Sequence, residues 1–141
     1  WNWYEQYVED DVFYAAVDDV HERQIAYPPF DGADKLFWTL HGLGYQIIVA
    51  SHRKPHFTYQ LARWLEGSLP WVWSGVYAGP SKLFLIEPGD LVIDDSPETI
   101  QYALDKGAEA ISLRWPWNKD TAAVLFDTLE EMAEWLKSRS Q

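Results

Sequence analysis

Four positions in this chain carry residue types that suit phosphoryl chemistry. An apolar run ends in Ser51; Lys82 follows 31 residues later; the acid pair Asp94-Asp95 begins 12 residues beyond that. A hydroxyl and an ammonium hold phosphoryl oxygens. Carboxylates hold Mg2+, which takes oxygen ligands and keeps several of its waters. The acid pair is the most specific of these features. Two adjacent carboxylates directly after a buried apolar run repel each other, and capping the next helix occupies only one of them. A cation or the lysine accounts for both. His52 and Arg53 directly follow Ser51, and Arg114 follows another apolar run, so each offers a contact to a phosphate or a leaving group. His21, His41 and His56 show no metal-ligand spacing. Asp18-Asp19 has no strand before it and reads as a helix-end or loop pair.

Elements must bring these residues together. Apolar positions spaced three and four apart predict one or two short helices over Trp3 to Val17. Pro28 and Pro29 break the chain. Asp31 to His41 reads as a helix with Asp31 as N-cap, an apolar stripe of Leu36, Phe37 and Leu40, and Gly42 and Gly44 at its end. Tyr45 to Ala50, apolar except for Gln46, suits a buried parallel strand. Pro55 to Leu65 reads as the next helix, and Trp71 to Tyr77 as a strand. Leu91 to Ile93 is a short strand stopping at Asp94. Ser96 and Pro97 start a helix that ends at Gly107. Ala110 to Leu113 and Val124 to Phe126 are further strands, and Leu129 to Lys137 closes the chain as a helix. Strands alternating with helices predict an α/β domain with a parallel sheet, whose ligands bind at the carboxyl ends of the strands. Ser51, Lys82, Asp94 and Arg114 all stand at or after such ends.

Composition narrows the partners. The chain has 141 residues, the size of one domain. Hydrophobic residues make up 48% and charged residues 23%, a globular balance. Eleven basic against 22 acidic residues give a formal charge of −11, which opposes non-specific binding to a nucleic-acid backbone. A small phosphorylated ligand remains compatible with a local positive pocket or a cation. With no Cys, thiol catalysis and Cys-based zinc sites are excluded. No run of 18 apolar residues is present, so no spanning helix and no membrane role is expected. No signal peptide is visible, and the expected compartment is the cytoplasm. Nothing in the sequence sets the oligomeric state.

The order serine, lysine, acid pair resembles the haloacid dehalogenase (HAD) superfamily of phosphatases. The strand IIVAS resembles the family's second motif, Lys82 its third, and LVIDDSPET its fourth. The stretch PPFDGADKLFWTLHGLGYQIIVAS resembles the segment returning from the cap in 5′-nucleotidase-like members. Pro116-Trp117-Asn118 resembles a segment of the 5′(3′)-deoxyribonucleotidase-like branch. The resemblance implies a Rossmann-like three-layer core with a parallel sheet over residues 28–141. Residues 1–27 would then be part of a small helical cap.

It also implies Mg2+-dependent hydrolysis of a small phosphate ester such as a nucleoside monophosphate. Ser51 would bind a phosphoryl oxygen, Lys82 would neutralise charge, and Asp95 with Asp94 would hold Mg2+. His52 and Arg53 would contact substrate. The family's opening strand, ending in Asp-x-Asp and carrying the nucleophile, has no counterpart here. Glu9-Asp10-Asp11 and Asp18-Asp19 lack the spacing, and Leu129 stands where a second acid would follow Asp127. Because the chain starts at Trp1 rather than Met, the expectation is that this strand lies upstream of it. Without such a strand, the sheet would be left with an exposed apolar slot, and the chain as written would be inactive. The alternative expectation is a nucleophile-less relative that binds Mg2+ and a phosphorylated ligand or a protein partner.

Overall fold

A computed structural model describes residues 4–139, which form a mixed α/β fold of five helices and two small parallel sheets. The helices are α1 (Asp10–Glu22), α2 (Ala33–Gly42), α3 (Thr58–Ser68), α4 (Pro97–Asp105) and α5 (Leu129–Ser138). The strands are β1 (Ile47–His52), β2 (Trp73–Gly79), β3 (Leu91–Ile93), β4 (Glu109–Leu113) and β5 (Val124–Phe126). β1 pairs with β2; β3, β4 and β5 form the second sheet in that order. Every pairing is parallel. One continuous sheet is the simpler expectation from the sequence, and the break between β1 and β3 is the main departure from it.

Local signals explain most element limits. The Ser96 hydroxyl accepts from the Thr99 N–H and Pro97 follows it, which starts α4. The Thr128 hydroxyl accepts from the Glu131 N–H and starts α5. Asp31 does not cap α2. Gly32 occupies the cap position with φ +80°, a left-handed conformation that costs glycine little. Glu130 of α5 lies where a Cβ on Gly32 would go, so the glycine also lets α2 and α5 approach.

β1 is shifted by two residues from the apolar run. The Tyr45 N–H bonds to the Leu40 carbonyl across a turn with Gly44 at φ +85°, which uses up Tyr45 and Gln46. At the other end, Ala78 and Gly79 of β2 offer partners to Ser51 and His52, so the strand runs on through both. α1 likewise starts and ends later than the periodicity suggests. Asp10 and Asp11 favour its amino end. Asp18 and Asp19 therefore lie near the carboxyl end of the helix, the helix-end alternative of the two expected and not the loop: Asp19 pairs with Arg23 one turn on, and Asp18 with Lys54. The expected first helix begins at Trp3, which lies outside the described residues; Tyr4 is described and buried.

The main core joins the two sheets. Leu36 and Leu40 of α2, Ile47 of β1, Ile111 of β4, and Met132, Ala133 and Leu136 of α5 form one buried cluster. Alternation places Ile47 and Val49 on the face covered by α2. α3 packs on β1 and β2 through Leu61 and Leu65, and α4 covers the opposite face of β3 and β4 through Ile100 and Ala103. Among the described residues no helix is long and apolar enough to cross a membrane.

Candidate active site

The acid pair follows β3 directly, and its two members have different partners. Asp94 forms an ion pair with Lys82, whose side chain is 20% exposed against 10% for Asp94. The other Asp94 oxygen accepts from the Ser96 N–H at 3.0 Å, and the Asp94 N–H donates to the Ile111 carbonyl at 3.3 Å. Both Asp94 oxygens are thus engaged, and the lysine predicted to compensate the pair does so through Asp94. Lys82 gets there because the chain leaves β2 at Gly79, turns through Pro80, and folds into a short 3-10 turn at Leu83–Leu85.

Asp95 is in a different state. Burial, then the neighbouring Asp94 charge, raise its carboxyl above the ordinary aspartate range. The Trp117 indole N–H donates to Asp95 Oδ2 at 3.2 Å and works against that rise, as does the Lys82 charge. A half-buried carboxylate with incomplete compensation favours a cation beside it.

The segment after β4 frames this acid. Asn118 is 0% exposed. Its amide nitrogen lies 2.9 Å from Ser112 Oγ, 2.9 Å from the Leu113 carbonyl and 3.4 Å from the Asp95 carbonyl. Its oxygen accepts from the Trp115 N–H at 2.9 Å. One buried amide thereby ties the loop to the end of β4 and to the backbone of Asp95. The rings of Trp115 and Trp117 lie parallel with centroids 5.2 Å apart, and Phe30 sits 6.4 Å from Trp115. Sequence reasoning marked Pro116-Trp117-Asn118 only as a resemblance. The signal available was an amide three residues past a strand-end Arg-Trp step, which periodicity does not read.

Ser51 and its neighbours form a second group. Arg53 donates through Nε to Ser51 Oγ at 2.7 Å, and through its terminal nitrogen to Gln24 Oε1. Burial lowers the pKa of the Arg53 guanidinium. His21 is lowered too, by burial and then by the Arg53 charge. Gln24 and His21 therefore belong to the surroundings of Ser51, which the sequence did not indicate. His52 is exposed on the strand position between them.

The candidates are only partly gathered. Lys82, Asp94 and Asp95 form one cluster. Ser51 and Arg53 form another, and the residue before Ser51, Ala50, lines the same cavity as Lys82 and Asp94. Arg114 lies outside both groups: its Nε donates to Asp127 at 2.9 Å and its terminal nitrogen to the Leu125 carbonyl at 3.4 Å, so it clasps β4 to the end of β5.

Between the free edges of β1 and β3 lies a cavity of about 430 Å3. Ile48 and Ala50 line it from β1, Leu91, Val92 and Ile93 from β3, and Lys82 with Asp94 from the carboxyl end. The hard-oxygen donors Asp94 and Asp95 suit Mg2+ in kind. They fall short in number: among the described residues no group of three or more His, Cys, Asp or Glu gathers as a metal site. Protein-family models, curated proteins and solved structures were compared with the chain, and none matches it.

Proposed function

We propose that this chain forms most of a Mg2+-dependent phosphomonoester hydrolase of the HAD type, acting in the cytoplasm on a small phosphate ester such as a nucleoside monophosphate. The observation that carries this reading is the Lys82–Asp94 ion pair beside the raised, half-buried Asp95, set at the carboxyl end of a parallel strand. The Rossmann-like three-layer core belongs to the same reading. So does the division into a cap segment over residues 1–27 and a core over residues 28–141.

Each residue has a task. The Ser51 hydroxyl accepts from Arg53 and keeps its own hydrogen to donate to a phosphoryl oxygen. Lys82 offsets charge next to the acids. With Asp94 engaged by Lys82 and Ser96, Asp95 is the carboxylate left to hold the cation. When bound, Mg2+ would neutralise phosphoryl charge as it develops. His52 and Arg53 stand nearest Ser51 to meet the leaving group. The attacking carboxylate is assigned to no residue of these 141, because no Asp-x-Asp follows any of the five strands.

That last observation favours a second reading, a nucleophile-less domain that binds Mg2+ and a phosphorylated ligand or a protein partner. One experiment separates the two. The full-length natural gene product is assayed for phosphate release from nucleoside 5′-monophosphates with and without Mg2+, as wild type and as Asp95→Asn. The hydrolase reading expects Mg2+-dependent turnover that falls at least about 100-fold in the variant, the scale of losing one electrostatic contact to the transition state. A wild-type protein that gains thermal stability with Mg2+ but releases no phosphate establishes the binder instead.

A further inference from the structure

Arg53 is set apart from the other cations of this chain. Of the 11 basic side chains, eight pair with Asp or Glu among the described residues, and two, Lys106 and Lys119, are exposed. Arg53 is half-buried, and both of its hydrogen-bond partners are neutral: Ser51 Oγ at 2.7 Å and Gln24 Oε1. A charge taken partly out of water ordinarily acquires a countercharge. The chain has 22 acidic residues, yet none pairs with Arg53 among the described residues.

Donors gather around this side chain without acceptors to match. A guanidinium carries five N–H groups, and the two bonds draw on Nε and one terminal nitrogen. The second terminal nitrogen bonds to no described residue. The Ser51 hydroxyl accepts from Arg53 and keeps its own hydrogen. His21, in the last turn of α1, feels the Arg53 charge, and its buried Nδ1 has no hydrogen-bond partner among the described residues. Its ring meets Phe57 edge-on at 5.6 Å, which holds it against the segment following β1. The acid acting on His21 is Asp18, and Lys54 pairs with it. A charged fork, a hydroxyl and an imidazole suit the several oxygens of a phosphate better than the two of a carboxylate.

The cluster also draws on two stretches of chain. Ser51 and Arg53 belong to the end of β1, whereas His21 and Gln24 belong to the end of α1 and the turn after it. α1 buries none of its residues, so polar contacts, Arg53–Gln24 and Lys54–Asp18, join its end to the residues after β1.

We infer that Arg53, Ser51 and His21 form an oxyanion site that binds a phosphate group without a metal ion, and that the bound group fastens α1 to the end of β1. This extends the proposed phosphate contact at Ser51 to residues of α1. It needs neither Mg2+ nor the acid pair.

The test titrates inorganic phosphate into the 141-residue protein in EDTA at pH 7, followed by calorimetry and by NMR of the Arg53 Nε–H and the His21 ring. One phosphate per chain is expected, with both resonances shifted and amide exchange in α1 slowed at least threefold. Arg53→Gln should weaken binding at least tenfold. Arg53→Lys should recover only part of that loss, because it restores the charge without the fork. Lys82→Gln should leave binding within about a factor of two, since Lys82 belongs to the other cluster. The NMR readout on the wild type stands even if a variant fails to fold. A nucleoside 5′-monophosphate that binds tenfold tighter than inorganic phosphate assigns the group to an ester; equal binding assigns it to the free ion. Binding lost in Lys82→Gln and kept in Arg53→Gln overturns the inference by moving phosphate to the acid pair. So does phosphate bound with His21 and α1 unaffected, binding only with Mg2+, equal competition by acetate, or no binding. Turnover by the natural protein without metal-free phosphate binding would remove this inference and keep the hydrolase reading; binding without turnover would do the reverse.

Discussion

Asp95 is where a single side chain states the tension of the site. Its raised pKa means that the folded protein holds that proton more tightly than the unfolded chain. Between the ordinary aspartate value and the raised one, the native state binds more protons, so stability falls as pH rises through that window. Above it, the ionised carboxylate is a standing cost. Asp95→Asn is expected to raise the melting midpoint at neutral pH, because an amide oxygen still accepts from Trp117. The gain should shrink as pH drops through the window. A melt series from pH 3 to pH 7 on both proteins checks this; a variant less stable at neutral pH would show that Asp95 is compensated by something else. The companion Asp94 was legible as a carboxylate needing a partner, because Lys82 was already in view. The roles of Trp117 and Asn118 were not, since a hydrogen bond across 22 or 23 residues leaves no mark in local periodicity.

The elements show why some expectations held and others moved. β3, β5 and the starts of α4 and α5 coincide with their sequence limits because a cap or an abrupt change of polarity marks each one. β1 moved because its ends depend on a glycine turn and on β2, not on its own residues. The α2–α5 contact depends on Gly32 in the same non-local way. Gly32→Ala would force a Cβ into the left-handed region, at about 1–2 kcal/mol, and into the Glu130 side chain. A loss of about 1–3 kcal/mol in urea unfolding is expected, with the larger part remaining in Gly32→Ala/Glu130→Ala if backbone strain dominates. Full recovery in the double variant would assign the cost to the clash alone.

At the scale of the whole molecule, the formal charge of −11 is the largest unspent term. Acidic groups spread over a small domain repel one another, and salt screens that repulsion over about 10 Å at 0.1 M. Raising KCl from 10 to 150 mM should lift the melting midpoint by a few degrees; a fall would mean that specific ion pairs outweigh the general repulsion. The α/β class was legible because strands and helices alternate along the chain. The split into two sheets was not, because which edges meet is decided by long-range packing.

The two sheets are also fastened to each other unevenly. On one side, α2 and α5 pack together and Lys35 pairs with Glu134 at 2.7 Å, making a spine. At the carboxyl end of the gap between the sheets, Lys82, on the connection from β2 to β3, pairs with Asp94. Any ligand that draws Asp94 or Lys82 to itself also breaks that pair. The pair that tunes charge at the site therefore also forms the carboxyl-end wall of the cavity beside it.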